Sequence, residues 1–161
     1  MATRMPQLNI ESARIINKNF RGEERRHDGR VVNAEGDRNF GVVIDDPELA
    51  ERLQTDGWNI KIRPPRDDDE GSQAMYYLPV KVGYGGYKPP KIVMVTERGK
   101  QNRLDEEMVG VLDESEILSA DLTINPSPWS VNGKTGIKAY VDVMYATIKQ
   151  DHWASKYSDE D

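Results

Sequence analysis

Apolar and polar positions alternate with a period of two in three stretches of the chain, the spacing expected of β-strands with one face in a core and the other in water. In residues 58–63, Trp58, Ile60 and Ile62 fall on one face, and Asn59, Lys61 and Arg63 on the other. Residues 75–84 repeat the arrangement, with Leu78, Val80, Val82 and Tyr84 toward the core and Tyr77 and Lys81 outward. The longest run, 137–149, puts Ile137, Ala139, Val141, Val143 and Tyr145 on the core side and begins the outer side with Lys138, Tyr140 and Asp142. Each outward face therefore carries a cation, and two of them carry a tyrosine as well.

Residues 91–96 are apolar on both faces, which predicts a strand covered on both sides, and 40–44 and 120–125 read as shorter strands. Residues 8–20 read as extended, with a break in the alternation. One helix is well signalled: Asp46 as cap, Pro47 in the first position, Leu49, Ala50 and Leu53 on one side, and Gly57 as the stop. A second helix over 104–112 would align Leu104, Met108, Val111 and Leu112 behind an acidic first turn, against the cost of Gly110. Glycine, proline and aspartate mark loops at 21–37, 64–73 and 83–90, and Asn132-Gly133 between strand-like segments signals a hairpin.

The order strand, strand, strand, helix, strand, strand, with the second helix before the last hairpin, predicts a mainly β, elaborated OB-fold. This is a five-stranded, partly open Greek-key barrel, here with one or two short helices. Another small barrel or a sandwich is the alternative. A single domain is expected over 1–157, with a long loop at 21–38 and an acidic, disordered tail at 158–161.

Composition narrows the classes. A chain of 161 residues, 37% hydrophobic and 31% charged, suits one globular core with polar loops. Its longest apolar stretches, such as 92–95, are far short of the roughly twenty residues a membrane helix needs. Residues 1–19 lack the unbroken apolar segment of a secretory signal, so an intracellular location is expected. The absence of cysteine excludes a disulfide framework, a thiol nucleophile and a cysteine-ligated zinc. His27 and His152 stand far apart, without metal-ligand spacing. No metal and no cofactor is expected.

A net charge of −6 speaks against a nucleic-acid partner, but its distribution speaks for one. Residues 1–30 hold seven basic side chains against four acidic ones, and 81–103 hold six against Glu97 alone. The acids gather at 67–70, at 105–121 and at the C-terminus. An acidic chain with two basic segments can still own a basic groove.

Several motifs resolve to plain loops. Gly133-Lys134-Thr135 lacks the earlier glycine of a phosphate loop, because Pro128 occupies that position. Residues 83–87 lack dinucleotide-binding spacing and run into Pro89-Pro90 rather than a helix. The acidic run 67–70 lacks the spaced ligands of a calcium loop. No nucleophile, base and acid stand in a catalytic pattern, so no enzymatic activity is expected. Residues 129–140 are the most informative: Trp129, Lys134, Lys138 and Tyr140 surround the hairpin tip, a combination that stacks unpaired bases and neutralises phosphates. With the outward residues of the other strands, the expected DNA-contact set is Lys61, Arg63, Tyr77, Lys81, Trp129, Lys134, Lys138 and Tyr140. Trp58 is expected in the core, and Trp129 could be core or DNA-facing.

Four segments taken in order, 39–47 (Asn-Phe-Gly-Val-Val-Ile-Asp-Asp-Pro), 56–61 (Asp-Gly-Trp-Asn-Ile-Lys), 89–93 (Pro-Pro-Lys-Ile-Val) and 129–140, resemble the small single-stranded DNA-binding proteins encoded by phages and prophages. The resemblance spans 39–157, about three quarters of the chain. It implies an OB-fold that binds and protects single strands, whatever their sequence, during phage DNA replication and recombination. It carries over no ligand residue. Residues 152–161 look like the acidic C-termini with which such proteins recruit a polymerase, helicase or recombinase, making Asp159, Glu160 and Asp161 the partner-binding candidates. The terminal phenylalanine usual there is missing. Self-association into a homo-oligomer is left open. A competing reading is a phage protein-interaction module or inhibitor whose acidic surface mimics DNA; a third is a small nuclease using Asp105, Glu106 and Glu107.

Overall fold

The structure, a computed structural model, describes residues 6–65, 71, 73–85 and 89–149. The expected tail at 158–161 and the acidic run 67–70 lie outside them.

Strand β1 (Leu8–Ala13) and β2 (Ile15–Asn19) are two halves of one bent strand. Ser12 takes a left-handed backbone (φ 52°) where the register slips, which is why the alternation breaks in the sequence. The bend lets β1 pair with β10 (Ile117–Val131) while β2 pairs with β5 (Arg38–Ile44), and the Arg14 carbonyl accepts from Val43 N–H at 3.0 Å. Strand β5 continues the sheet to β7 (Met75–Val82), β7 to β11 (Lys134–Ile148), and β11 to β10. With the five barrel strands counted in chain order, neighbours run 1-2-3-5-4-1, antiparallel except between β7 and β11. That is the Greek-key order of an OB barrel. The β7–β11 seam is held by two register pairs, Ala139↔Val80 and Tyr140↔Lys81, so the barrel is partly open there.

The core fills this barrel. Phe20 and Phe40 stack at 5.0 Å between ring centroids and are shut off from solvent with Val42, Leu78, Val80, Ile124 and Met144. Helix α1 (Pro47–Asp56) forms as its signals require: the Asp46 carboxylate accepts from Glu48 N–H at 3.0 Å, and Ala50 and Leu53 are buried. The chain leaving it is pinned to the last barrel strand, because Ile137 N–H donates to the Gly57 carbonyl at 3.0 Å. The β10–β11 turn has both central residues left-handed, Asn132 at φ 51° and Gly133 at φ 80°, the geometry that suits a tight hairpin.

Four expectations need correction. Ile62 is 53% exposed rather than core, because β6 (Lys61–Arg63) is a three-residue strand paired only with β7, where little packs over it. Val143 and Tyr145 do not join Val141 in the core. The register runs Thr123↔Val143 and then Ile124↔Val141, leaving Asp142 as an extra residue; beyond this bulge the faces exchange, and Met144, Ala146 and Ile148 point inward. The outer face freed by the bulge is used, since Lys91 on β8 (Lys91–Thr96) stacks over the Tyr145 ring at 5.5 Å.

The helix expected over 104–112 shrinks to α2 (Val111–Glu114). Leu104 ends β9 (Gln101–Leu104), and Asp105 caps a turn by accepting from Met108 N–H at 2.9 Å. Val109 and Leu112 are buried, whereas Met108 and Val111 are exposed. Finally, the expected loop 21–37 contains a hairpin of β3 (Arg25–His27) and β4 (Arg30–Asn33). Its strands are almost wholly exposed and show no apolar alternation. Polar bonds at its base hold it instead: buried Asn19 accepts from Glu23 N–H at 2.9 Å and donates to the Glu23 carbonyl at 3.0 Å, and Asn33 donates to that carbonyl at 2.8 Å.

Candidate nucleic-acid interface

Register and alternation fix which side chains share the outer face of the barrel. Because β7 turns Leu78, Val80 and Val82 inward, Tyr77, Pro79 and Lys81 must face out. Cross-strand pairing adds partners in rows: Val43, Tyr77 and Lys61 form one row, and Asn39, Lys81 and Tyr140 another. On β11, Ile137, Ala139 and Val141 point inward, so Lys138 and Tyr140 join the same outer face.

The hairpin tip leans over this face. A groove of about 350 Å³ is lined by Trp58, Asn59, Pro79, Lys81, Trp129, Thr135 and Lys138, among others. Three members of the expected contact set, Lys81, Trp129 and Lys138, therefore converge in one cavity. Tyr140 pairs with Lys81, and Tyr77 stands two outward positions along β7, past Pro79. Lys61 lies opposite Tyr77, and Lys134 is exposed at the start of β11. Arg63 is drawn aside, its guanidinium donating to Asn17 Oδ1 at 3.4 Å, and is the least integrated of the eight. Trp58 is buried, as expected, while Trp129 is 37% exposed and faces the groove.

The charges are available to differing degrees. Lys81 Nζ sits 3.6 Å from an Asp37 carboxylate oxygen. Lys61, Lys134 and Lys138 form no ion pair among the described residues. Asn59 and Thr135 also line the groove and escaped the sequence reading; the outward position of Asn59 in its alternating stretch was the available signal. Two of the three acids considered for a nuclease have structural partners. Asp105 caps its turn, and Glu106 pairs with Arg38 at 3.3 Å. Among the described residues, no three histidine, aspartate or glutamate side chains converge as a metal site would require.

The family model described as "Putative phage ssDNA-binding domain" matches residues 1–160. The chain belongs to this family. Single-stranded DNA binding is thus the activity by which its family is described. Among solved structures, a C-terminally truncated single-stranded DNA-binding protein from bacteriophage Enc34 is similar at 11% identity and a TM-score of 0.47, covering 90% of this chain and 87% of that one. The Enc34 protein in complex with single-stranded DNA is similar at 8% identity and a TM-score of 0.47, covering 90% and 88%. Protein gp2.5 of bacteriophage T7, also a single-stranded DNA-binding protein, gives 11% identity and a TM-score of 0.40, covering 91% and 92%. No curated protein matches the sequence.

Proposed function

We propose that this member of the phage single-stranded DNA-binding family coats single strands, without cleaving them and whatever their sequence, through the outer face of β5, β7 and β11 and the β10–β11 hairpin. The observation that carries this reading is the convergence of Lys81, Trp129 and Lys138 in one open groove, with Tyr77 and Tyr140 alongside. Lysines there neutralise phosphates, and the exposed aromatics stack on bases, which is how a surface binds single strands without reading their sequence. In OB-folds this face and the two loops beside it are the usual oligonucleotide site, and those loops are here the β3–β4 and β10–β11 hairpins. Lys61, Arg63 and Lys134 extend the cationic path beyond the groove.

Replacing Lys134 or Lys138 by alanine tests the assignment. Each should weaken binding to oligo(dT) and flatten the dependence of log affinity on log salt by about 0.7 if it meets one phosphate. Unchanged slopes in both variants would remove the hairpin from the interface. Incubation of labelled oligo(dT) with magnesium should leave its length unchanged, and shortening would restore the nuclease reading. Recruitment of replication proteins by Asp159, Glu160 and Asp161 in the host cytoplasm belongs to the same proposal. A chain ending at Tyr157 should then bind DNA but fail to retain the phage polymerase or helicase.

A further inference from the structure

Trp129 is the shared wall of two cavities. The first is the groove of about 350 Å³ that continues toward Pro79, Lys81 and Lys138; the second, of about 400 Å³, continues toward Asp56, Pro128 and Ser130. Both touch Gly57, Thr135, Gly136 and Ile137, so they meet near the tip of the hairpin. What holds the indole there is its cross-strand partner. Trp129 pairs with Gly136, and a Cβ on Gly136 would lie 2.7–2.8 Å from Cζ2, Cε2 and Nε1 of the ring, closer than carbon atoms can approach. The ring occupies the space that any other residue at 136 would fill.

We infer that Trp129, seated on Gly136, is a partition between two base sites, and that two successive unpaired nucleobases of one strand enter the two cavities with the indole between them. The inference rests on the DNA-binding reading above and adds its smallest repeating unit. The cationic side of the pair is defined as well: Lys81 and Lys138 border only the first cavity, whereas Ser130 and Asp56 border only the second. A phosphate is therefore favoured beside the first cavity and disfavoured beside Asp56. Gly136 is a positioning residue, acting on DNA through the ring it seats. Its backbone lies outside the left-handed region, so alanine is tolerated by the main chain and disturbs only the indole.

The test compares wild type, Trp129→Ala, Gly136→Ala and Gly85→Ala on oligo(dT) and on an abasic oligomer of the same length. Gly85 has open space around it and serves as the control for a glycine change. Stacking is worth roughly 5- to 150-fold per base, so losing two contacts should cost Trp129→Ala at least about 25-fold on oligo(dT). The abasic oligomer, which offers no base, should bind it almost as it binds wild type. Gly136→Ala should show the same selectivity with a smaller loss, and Gly85→Ala none. Circular dichroism confirms that each variant is folded, and a Trp129→Phe chain, which keeps a flat ring, should recover part of the loss. Equal losses on both oligomers, or no loss in Trp129→Ala while wild type still binds oligo(dT), would overturn the partition and leave the DNA-binding reading standing. Failure of wild type itself to bind oligo(dT) would sink that reading instead.

Discussion

Replacing Asp37 by asparagine should strengthen single-strand binding. The Asp37 carboxylate lies 3.6 Å from Lys81 Nζ, and both side chains are partly exposed, at 35% and 42%. A phosphate approaching the groove must therefore displace a carboxylate that already holds this lysine. An ion pair of this exposure is worth about 0.2–1 kcal/mol, so freeing the lysine should raise affinity by roughly 1.5- to 5-fold. The substitution is conservative for the fold. The bonds that tie Asp37 to Ala34, Asn33 and Asn39 use its backbone N–H and carbonyl, which asparagine keeps.

Removing any negative charge near DNA also favours binding, so the decisive experiment is a double-mutant cycle with Lys81→Ala. Lys81→Ala alone should weaken binding and lower the salt slope by about 0.7, the loss of one phosphate contact. In that background Asp37→Asn should gain clearly less than in wild type. Fluorescence titrations with oligo(dT) at several salt concentrations give all four affinities. An equal gain in both backgrounds would refute the competition and reduce Asp37 to a general repulsive charge.

The barrel core should depend on its stacked pair: Phe40→Ala, which empties a fully buried site against Phe20, is expected to cost about 3–5 kcal/mol in urea unfolding. Asp113 accepts from the backbone N–H groups of Phe20 at 2.7 Å and Arg21 at 2.9 Å, tying α2 to the end of β2. Asp113→Ala leaves both donors unmatched and should cost about 1–3 kcal/mol per group, while Asp113→Asn, which keeps one acceptor oxygen, should cost less. Tyr84 has its hydroxyl pushed up to about 12 by burial. Because the folded chain keeps this proton after the unfolded chain has released it, stability should fall between pH 10 and 12. Tyr84→Phe, which removes a buried hydroxyl with no hydrogen-bond partner among the described residues, should reduce that fall without weakening the protein at pH 7; an identical pH profile would show that the burial does not matter.

Much of this architecture was legible because it rests on local signals. Period-two alternation identified the buried faces of β7 and the first half of β11, Asp46-Pro47 and Gly57 bracketed α1, and Asn132-Gly133 marked the hairpin that carries Trp129. What escaped depends on partners distant in sequence. The bulge at Asp142 is set by the register against β10, so the exchange of faces beyond it leaves no mark in β11 itself. The β3–β4 hairpin has no apolar face, and its stability comes from Asn19 and Asn33 bonding to the Glu23 carbonyl, which no periodicity displays. Ile62 alternates correctly yet lies where little packs over it.

The candidate interface divides in the same way. Tyr77, Lys81, Lys138 and Tyr140 follow from alternation within their own strands. The seating of Trp129 on Gly136 and the diversion of Arg63 to Asn17 follow only from the folded barrel.

The central claim is that this surface binds unpaired strands in preference to paired ones. It is tested most directly by titrating wild-type protein with fluorescent oligo(dT) and with a duplex of equal length, across salt concentrations from 0.05 to about 0.2 M. The account predicts tighter binding to the single strand at every salt concentration, because only unpaired bases can reach Trp129 and the outward tyrosines. It also predicts that log affinity falls linearly with log salt, with a slope of about −0.7 for each phosphate neutralised. Equal affinity for duplex and single strand, with parallel salt dependence, would mean that the bases are not contacted and would contradict the account.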